Sequence, residues 1–391
     1  MSALHLAFDS RRMSSHFCEY HKGIERQAYL EALRGWAILG VIFVHSCGYV
    51  PNVGPDLHQA ALSGAYGVQL FFVVSALTLT TTWKARGDGL VPFYIRRVFR
   101  IGPMFWLAIP AFLALRVLEP GGTGAYPVSV WQIMTTATFM HGWWPDTFTS
   151  IVPGGWSVAV EVAFYALFPI LMARVRSLAA AIVGFVGAIV AGHVLSPVVE
   201  AHYQGEYPTL LGFYLYVAFW NQFPVFFVGI GLFFVLRKFH PPKPVVRLML
   251  AATIGLMIYL AFFNIRGPKN IQYALCFGAL AFCLANETGR LLVARPICYL
   301  GKISYSAYLW HFALLALIGA WGGMDVLSGH FSPDGYGVDA LFFVFFVAMT
   351  VVTGIASSFT FHFVERPMIE LGRRLARRQA AAIQKRAAST P

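Results

Sequence analysis

The chain has 391 residues, of which 58% are hydrophobic, 16% aromatic and only 12% charged. This composition excludes a water-soluble globule, whose surface needs more polar residues, and indicates a polytopic helical membrane protein. The formal net charge of +12 does not indicate nucleic-acid binding, because the basic residues follow the distribution that membrane proteins use to set their topology.

Ten apolar runs lie along the chain, most of them near the length that crosses a hydrocarbon core of about 30 Å. They predict membrane spans at residues 29–49, 67–83, 101–118, 156–173, 178–196, 213–236, 247–263, 271–286, 303–320 and 339–362. The predicted fold class is therefore all-α, a polytopic transmembrane helical bundle of about ten spans.

Lysine and arginine are concentrated in every second connection between these spans. The intervening connections carry only Arg266 and Lys269, with Arg116 near the exit of span three. Because basic residues favour the cytoplasmic side, we expect both termini to be cytoplasmic.

Three parts are expected along the chain. Residues 1–28 lack the apolar core of a cleavable signal and are interpreted as a cytosolic leader. Residues 29–368 form the transmembrane domain, and residues 369–391 form a basic cytosolic tail. The tail is compatible with an amphipathic helix on anionic lipid and equally with a solvated segment.

The first span carries two ionisable side chains, Arg34 and His45. Ionisable groups at membrane depth are functional candidates by default. Eleven residues at about 100° each return to nearly the same azimuth, so the two side chains share one face roughly 16 Å apart along the helix axis.

A second cluster of cations precedes span three, where Arg97 and Arg100 are three residues apart and converge if the segment is helical. Guanidinium groups pair bidentately with phosphate, so the cluster suits a phosphate-bearing ligand from the cytoplasm. Ordinary positive-inside charge at a helix start remains an equal alternative.

Span four contains a carboxylate, Glu161, about one and a half turns from its outer end. Ser157 precedes it by one turn and shares its face. His45 lies at a matching depth in span one, so a pair between His45 and Glu161 is expected, either as catalytic partners or as a structural ion pair.

Span nine places Ser304, Tyr308 and His311 on one side at helical spacing. A lone histidine is more often a satisfied interior residue than a catalyst, which ranks His311 behind His45. At the exit of span ten, Glu365 and Arg366 are interpreted as a local ion pair.

The sequence predicts no metal site. Its five cysteines form neither a CxxC pair nor a disulfide spacing, so we expect free thiols.

Together these segments resemble the acyltransferase-3 family of integral membrane O-acyltransferases, from about residue 29 to 368. The matching segments are Leu33–Arg34–Gly35 to His45, Phe71–Phe72–Val–Val–Ser75, Arg97–Val–Phe–Arg100, Trp156–Ser157 to Glu161 with Phe164–Tyr165, Ile303–Ser304–Tyr305 to His311, and Val364–Glu365–Arg366–Pro367. Ala76 stands where the family usually has glycine.

The resemblance implies transfer of an acyl group, commonly acetyl, from cytoplasmic acyl-CoA to a hydroxyl of a carbohydrate or glycolipid at a bacterial inner membrane. It implies that Arg97 and Arg100, with Arg34, bind the phosphates of coenzyme A. We expect His45 to act as general base and Glu161 to fix its tautomer. The candidates for oxyanion or acceptor contacts are Ser75, Ser157, Tyr308 and His311.

Two alternatives remain open at this point. The same chemistry could serve a small soluble acceptor such as a macrolide. A transporter or flippase for an anionic or glycolipid substrate could instead use Arg34, His45 and Glu161 as its pathway, although the sequence has no clear internal repeat.

Overall fold

The computed structural model describes residues 28–87, 89–118, 127–263, 265–286, 291–320 and 335–389. Within these ranges all long elements are helices, and none of the described residues forms a strand. The predicted leader lies outside them, apart from residue 28. The helices are α1 (Ala28–Cys47), α2 (Pro55–Leu62), α3 (Gly67–Arg86), α4 (Leu90–Leu118), α5 (Val130–Ala137), α6 (Gly155–Arg174), α7 (Leu178–His202), α8 (Leu211–Val217), α9 (Phe219–Lys238), α10 (Lys243–Phe262), α11 (Lys269–Asn286), α12 (Arg295–Lys302), α13 (Ser304–Ala320), α14 (Gly335–Thr360) and α15 (Arg366–Ser389).

Nine of the ten predicted spans each fall on one of these helices, and the remaining one, residues 213–236, covers the end of α8 and most of α9. In the described part of the chain, eight are long and apolar enough to cross a membrane, and a ninth is added if α12 and α13, bent by 80°, count as one span. The helix that does not reach this threshold is α11, whose polar ends, Lys269, Asn270 and Asn286, lower its mean hydropathy. The all-α membrane fold is therefore confirmed at the level of eight or nine spans.

Local signals fix several helix ends. The side chain of Ser177 accepts a hydrogen bond from the backbone of Ala180 at the start of α7, and such a cap contributes about 1 kcal/mol. Ser129 and Gln132 form a reciprocal capping box before α5. Gly87 ends α3 with a φ of 62°, a left-handed conformation that glycine adopts without strain.

Glycine allows α1 to pack directly against α12. A Cβ at Gly301 would overlap the backbone carbonyl of Glu31, and a Cβ at Gly35 would overlap that of Ile297. Small residues at such crossings let membrane helices approach closely. This contact holds the arginine-bearing half of α1 in place.

An aromatic core joins α3, α6 and α9. The rings of Phe164 and Phe226 stack with centroids 4.0 Å apart, and Phe72 stacks on Phe226 at 4.7 Å. Each such pair adds about 0.5–1.5 kcal/mol beyond area burial. The core fixes the face of α6 that carries Glu161 against α3.

The last membrane helix continues into the tail. One turn of π-helix, Phe361–Glu365, connects α14 to α15, and α15 packs on α4 through Gly372, which lies against Phe99. The predicted domain boundary after residue 368 therefore falls inside a continuous helix. On the opposite side of α15 the basic residues are exposed, namely Arg373, Arg374, Arg377 and Arg378.

Candidate active site

A polar cavity of about 100 Å³ lies between α1, α3, α4, α6 and α13. Seven of the predicted site residues line it: Arg34, Ser75, Arg97, Arg100, Ser157, Glu161 and Tyr308. Residues far apart in sequence thus meet in one place.

Glu161 is satisfied by two hydroxyl groups. Its Oε1 accepts hydrogen bonds of 2.6 Å from Ser75 Oγ on α3 and of 2.6 Å from Tyr165 OH one turn further along α6. Short bonds to a carboxylate compensate for taking the charge out of water. Ser75 therefore has its only hydroxyl hydrogen committed to Glu161.

Two arginines face this carboxylate with donors left over. Arg34 Nη2 donates to Thr78 Oγ1 at 3.1 Å. The Arg97 guanidinium lies over the rings of Phe93 and Tyr165, 5.9 and 5.7 Å from their centroids, and its buried Nε has no hydrogen-bond partner. A buried N–H of this kind calls for an acceptor from a ligand or from water.

Arg100 is held differently. Its Nη1 donates to Glu365 Oε1 at 3.0 Å, and the other oxygen of this fully buried carboxylate accepts a 2.6 Å bond from Ser306. The predicted local pair of Glu365 with Arg366 is therefore wrong, because Arg366 instead bonds Glu370 on the exposed face of α15 at 3.0 Å. The long-range pair joins α4 and α13 to the π-turn.

His45 does not contact Glu161, in contrast to the predicted pair. Its Nδ1 lies 2.8 Å from the carbonyl oxygen of Val41 and 3.4 Å from Nε2 of His311. The pair was predicted only from the matching depth of the two residues in the membrane. In the structure, the carboxylate of Glu161 instead accepts hydrogen bonds from the hydroxyl groups of Ser75 and Tyr165. Neither histidine lines the cavity.

Tyr308 connects the cavity to the two histidines. Its hydroxyl accepts from Ser157 Oγ at 2.8 Å and donates to the carbonyl of Gly154 at 2.9 Å, while its ring centroid lies 5.8 Å from that of His311. Gly154 has a φ of 72°, and a Cβ there would lie 2.8 Å from the Tyr308 hydroxyl. Only glycine fits this turn.

Several groups were not assigned to this site from the sequence. They are Thr78, which holds Arg34, and Tyr165, Ser306 and Glu365. Tyr165 had a readable signal, since it follows Glu161 by one helical turn. Nothing in the local sequence identified Arg100 as the partner of Glu365.

Metal ligands do not converge in the described ranges: no group of three His, Cys, Asp or Glu side chains could hold an ion there. The cysteines of these ranges, Cys47, Cys276, Cys283 and Cys298, are free thiols. The site offers cationic, carboxylate, hydroxyl and imidazole groups, which suit anion binding and proton transfer.

The apolar helices define a multi-pass membrane protein with a polar cavity inside its bundle. A family model described as an acyltransferase domain, that of the acyltransferase-3 family, matches residues 27–360. The chain therefore belongs to this family, and the resemblance inferred from the motifs is confirmed.

Three curated relatives are similar to the chain over most of its length. The O-acetyltransferase OatA of Staphylococcus aureus (strain NCTC 8325 / PS 47) is 22% identical over 386 residues, covering 88% of this chain and 57% of OatA. The acyltransferase MdmB of Streptomyces mycarofaciens is 27% identical over 377 residues, covering 90% and 94%. The exopolysaccharide production protein ExoZ of Rhizobium meliloti (strain 1021) is 27% identical over 341 residues, covering 83% and 95%.

The chain thus spans just over half the length of OatA and nearly all of MdmB and ExoZ. No solved structure matches it significantly.

Proposed function

We propose that the protein is a membrane O-acyltransferase that moves an acyl group, acetyl in the first instance, from acyl-CoA to a hydroxyl of a carbohydrate or glycolipid. One observation carries the proposal: in a chain of the acyltransferase-3 family, a cavity with spare arginine donors adjoins a pair of histidines. Anion binding and proton abstraction are the two tasks that such a transfer requires.

The donor end of the reaction is assigned to Arg97 and Arg34. Coenzyme A carries several phosphate charges, and the unpartnered Nε of Arg97 together with the Arg34 guanidinium can meet them through charge-assisted hydrogen bonds. Arg100 has a smaller part, because Glu365 already neutralises it. Glu161 limits the excess of positive charge around Arg34 and Arg97 and does not orient His45.

The transfer step is assigned to His45. Its neutral imidazole takes the proton of the acceptor hydroxyl while the hydroxyl oxygen attacks the thioester carbonyl carbon. The new C–O bond forms, the C–S bond breaks, and the proton passes to the sulfur of the leaving coenzyme A. Ser157 and Tyr308 are the hydroxyl groups assigned to the developing oxyanion. Ser75 fits less well, because its hydrogen is bonded to a carboxylate, that of Glu161. The hydrogens of Ser157 and Tyr308 are bonded to neutral oxygens, which hold them less strongly.

The names of two relatives and the charge distribution support the acceptor and the location. The name of ExoZ refers to exopolysaccharide production, and that of OatA to O-acetyl transfer, which favours a carbohydrate acceptor over a small soluble one. The charge distribution supports a ten-span arrangement in a bacterial inner membrane with both termini cytoplasmic. His45 then lies toward the outer end of α1, and Arg97 toward the cytoplasm.

The proposal is tested with protein reconstituted in liposomes and supplied with acetyl-CoA on the side of α15. Free coenzyme A and O-acetylated sugar are measured together with passage of intact acetyl-CoA across the bilayer. Exopolysaccharide fragments, a polyprenyl-linked sugar and a macrolide serve as acceptors. Coenzyme A without an acyl group serves as the control donor.

Thiol release that depends on the protein and rises with a sugar acceptor supports the proposal. A rise with the macrolide alone assigns the small-acceptor alternative. Passage of intact acetyl-CoA without thiol release assigns a transporter and overturns the proposal.

A further inference from the structure

We propose that His311 is the positioning residue of His45: it orients the imidazole through a ring-to-ring hydrogen bond and stabilises the imidazolium that forms when His45 accepts a proton. The inference rests on the proposed function, which assigns the proton transfer to His45. The sequence predicted that Glu161 orients His45, because the two lie at a matching depth in the membrane. We assign that role to the imidazole of His311 on α13 instead.

The protonation of both rings follows from their carbonyl contacts. Val41 O lies 2.8 Å from Nδ1 of His45, and Ala307 O lies 3.2 Å from Nδ1 of His311. A carbonyl oxygen only accepts, so each Nδ1 carries the hydrogen, and in a neutral ring the Nε2 is then a lone-pair acceptor.

The contact between the rings then has one consistent direction. Nδ1–H of His45 donates toward Nε2 of His311 at 3.4 Å while also facing Val41 O. The distance is long for a hydrogen bond, and bonds of catalytic groups commonly shorten in the substrate complex. The remaining nitrogen of His45, Nε2, has no hydrogen-bond partner among the described residues, and the side chain is partly exposed, as a base that meets a substrate must be.

Aromatic packing keeps the two rings in this arrangement. Phe312 packs against both of them, with its ring centroid 4.3 Å from that of His45 and 4.1 Å from that of His311. His311 has no exposed surface, so its ring cannot rotate toward solvent. A rigid neutral acceptor therefore faces the nitrogen of His45 on which positive charge spreads after proton transfer, the role that a carboxylate has in serine-protease triads.

The contact of Nδ1 with a carbonyl oxygen one turn earlier in the same helix does not by itself distinguish His45 from other histidines of the chain. His193 makes the same contact, Nδ1 to Ile189 O at 3.1 Å, but lies on an exposed face of α7. The second imidazole is what sets His45 apart, and His193 provides a matched control.

The first arm of the test compares steady-state kinetics of His311→Leu, His311→Gln and His193→Leu. We expect His311→Leu to lower kcat about 10- to 100-fold, as loss of an orienting partner typically does, with little change in the KM for acetyl-CoA. Gln can present its side-chain carbonyl where Nε2 lies, so His311→Gln recovers part of the rate. His193→Leu retains wild-type kinetics.

The second arm repeats the His311→Leu change in the His45→Ala background. A residue that acts through His45 has no further effect on kcat there, whereas a merely structural residue lowers the rate by the same factor in both backgrounds. Equal factors, or wild-type kcat in His311→Leu, overturn the proposal.

The third arm detects the contact between the two imidazoles without measuring activity, by ¹⁵N NMR of protein labelled at histidine. The His45 signals are assigned as those that are lost in His45→Ala. We expect His311→Leu, but not His193→Leu, to shift the Nδ1 resonance of His45. An unshifted resonance overturns the pair even in an inactive preparation. A shifted resonance in a protein without transferase activity leaves the pair standing and rejects the proposed function instead.

Discussion

At the scale of single residues, Glu161 shows how a partly buried carboxylate can be stabilised without a direct ion pair. Ser75 and Tyr165 both donate to one of its oxygens, and the nearby guanidinium groups contribute through space. The sequence predicted the depth of Glu161 in the membrane but not its hydrogen-bond partners. A helical pattern shows in which direction a side chain points from its own helix, but it does not show which helix lies there.

Tyr165→Phe tests that arrangement. Phenylalanine keeps the ring beneath Arg97 and removes one of the two hydrogen bonds to Glu161. We expect the free energy of unfolding to fall by about 1–3 kcal/mol, the range for a buried polar group that loses a partner, as measured by SDS titration of the purified protein. Tyr259→Phe is the control, since Tyr259 is exposed on α10 and should tolerate the change; equal stability of the two variants contradicts the assignment.

At the scale of helices, close crossings decide where functional side chains lie. The crossing of α1 and α12 depends on Gly301, so Gly301→Ala should force the two backbones apart. We expect a loss of about 1–3 kcal/mol or more, as for other overpacked sites, and a lower yield of monodisperse protein.

Gly255 of α10 gives the matched comparison, because a Cβ there meets nothing within 4 Å. Gly255→Ala should not lower the yield, since alanine is the better helix former. Equal yields from the two alanine variants, measured by size-exclusion chromatography, would show that the crossing is looser than described.

The bond between Arg100 and Glu365 links α4 to the turn that follows α14. A double-mutant cycle with Arg100→Gln and Glu365→Gln should give a coupling energy of about 1–3 kcal/mol, because the carboxylate is fully buried and the bond is charged. Arg366 and Glu370, an exposed pair on α15, should give only about 0.3–0.5 kcal/mol. Comparable coupling in the two cycles contradicts a structural role for the buried pair.

Helix positions were predictable here and helix neighbours were not. The apolar runs predicted the long helices at all ten expected spans, because hydrocarbon thickness sets the length of such runs. The ion-pair partner of Glu365 could not be predicted from the sequence. Arg366 was favoured because it is adjacent in the chain, but tertiary packing places Arg100 next to Glu365. The tail was predicted as a separate part, yet α15 packs along α4.

At the scale of the whole molecule, the account predicts a fixed orientation in the bilayer. In a cysteine-free background, we expect Thr209→Cys, between α7 and α8, to react with a membrane-impermeant maleimide added to intact cells. Lys243→Cys, at the start of α10, should react only after permeabilisation. Both positions are exposed, so the reverse pattern would invert the proposed topology.

The residues of the candidate site could be predicted from the sequence, but their arrangement could not. Its chemical inventory was predictable, because ionisable groups stand out in apolar helices. The arrangement was not: Arg34 and His45 share a face of α1, but Arg34 enters the cavity while His45 meets His311 beyond it. Connectivity between helices, which the sequence does not specify, made that difference.

In the proposed function, Arg97 binds the donor and His45 transfers the proton, so the two side chains have separate effects on binding and on rate. The most direct measurement determines, for the same preparations, the Kd for acetyl-CoA and the rate of acetyl transfer in wild type, His45→Ala, Arg97→Ala and Arg97→Lys. We predict that His45→Ala lowers the transfer rate about 10²- to 10⁴-fold with an unchanged Kd. Arg97→Ala should raise the Kd about tenfold or more, the equivalent of one charge-assisted hydrogen bond, and Arg97→Lys should recover part of it. Wild-type transfer by a folded His45→Ala protein would contradict the account.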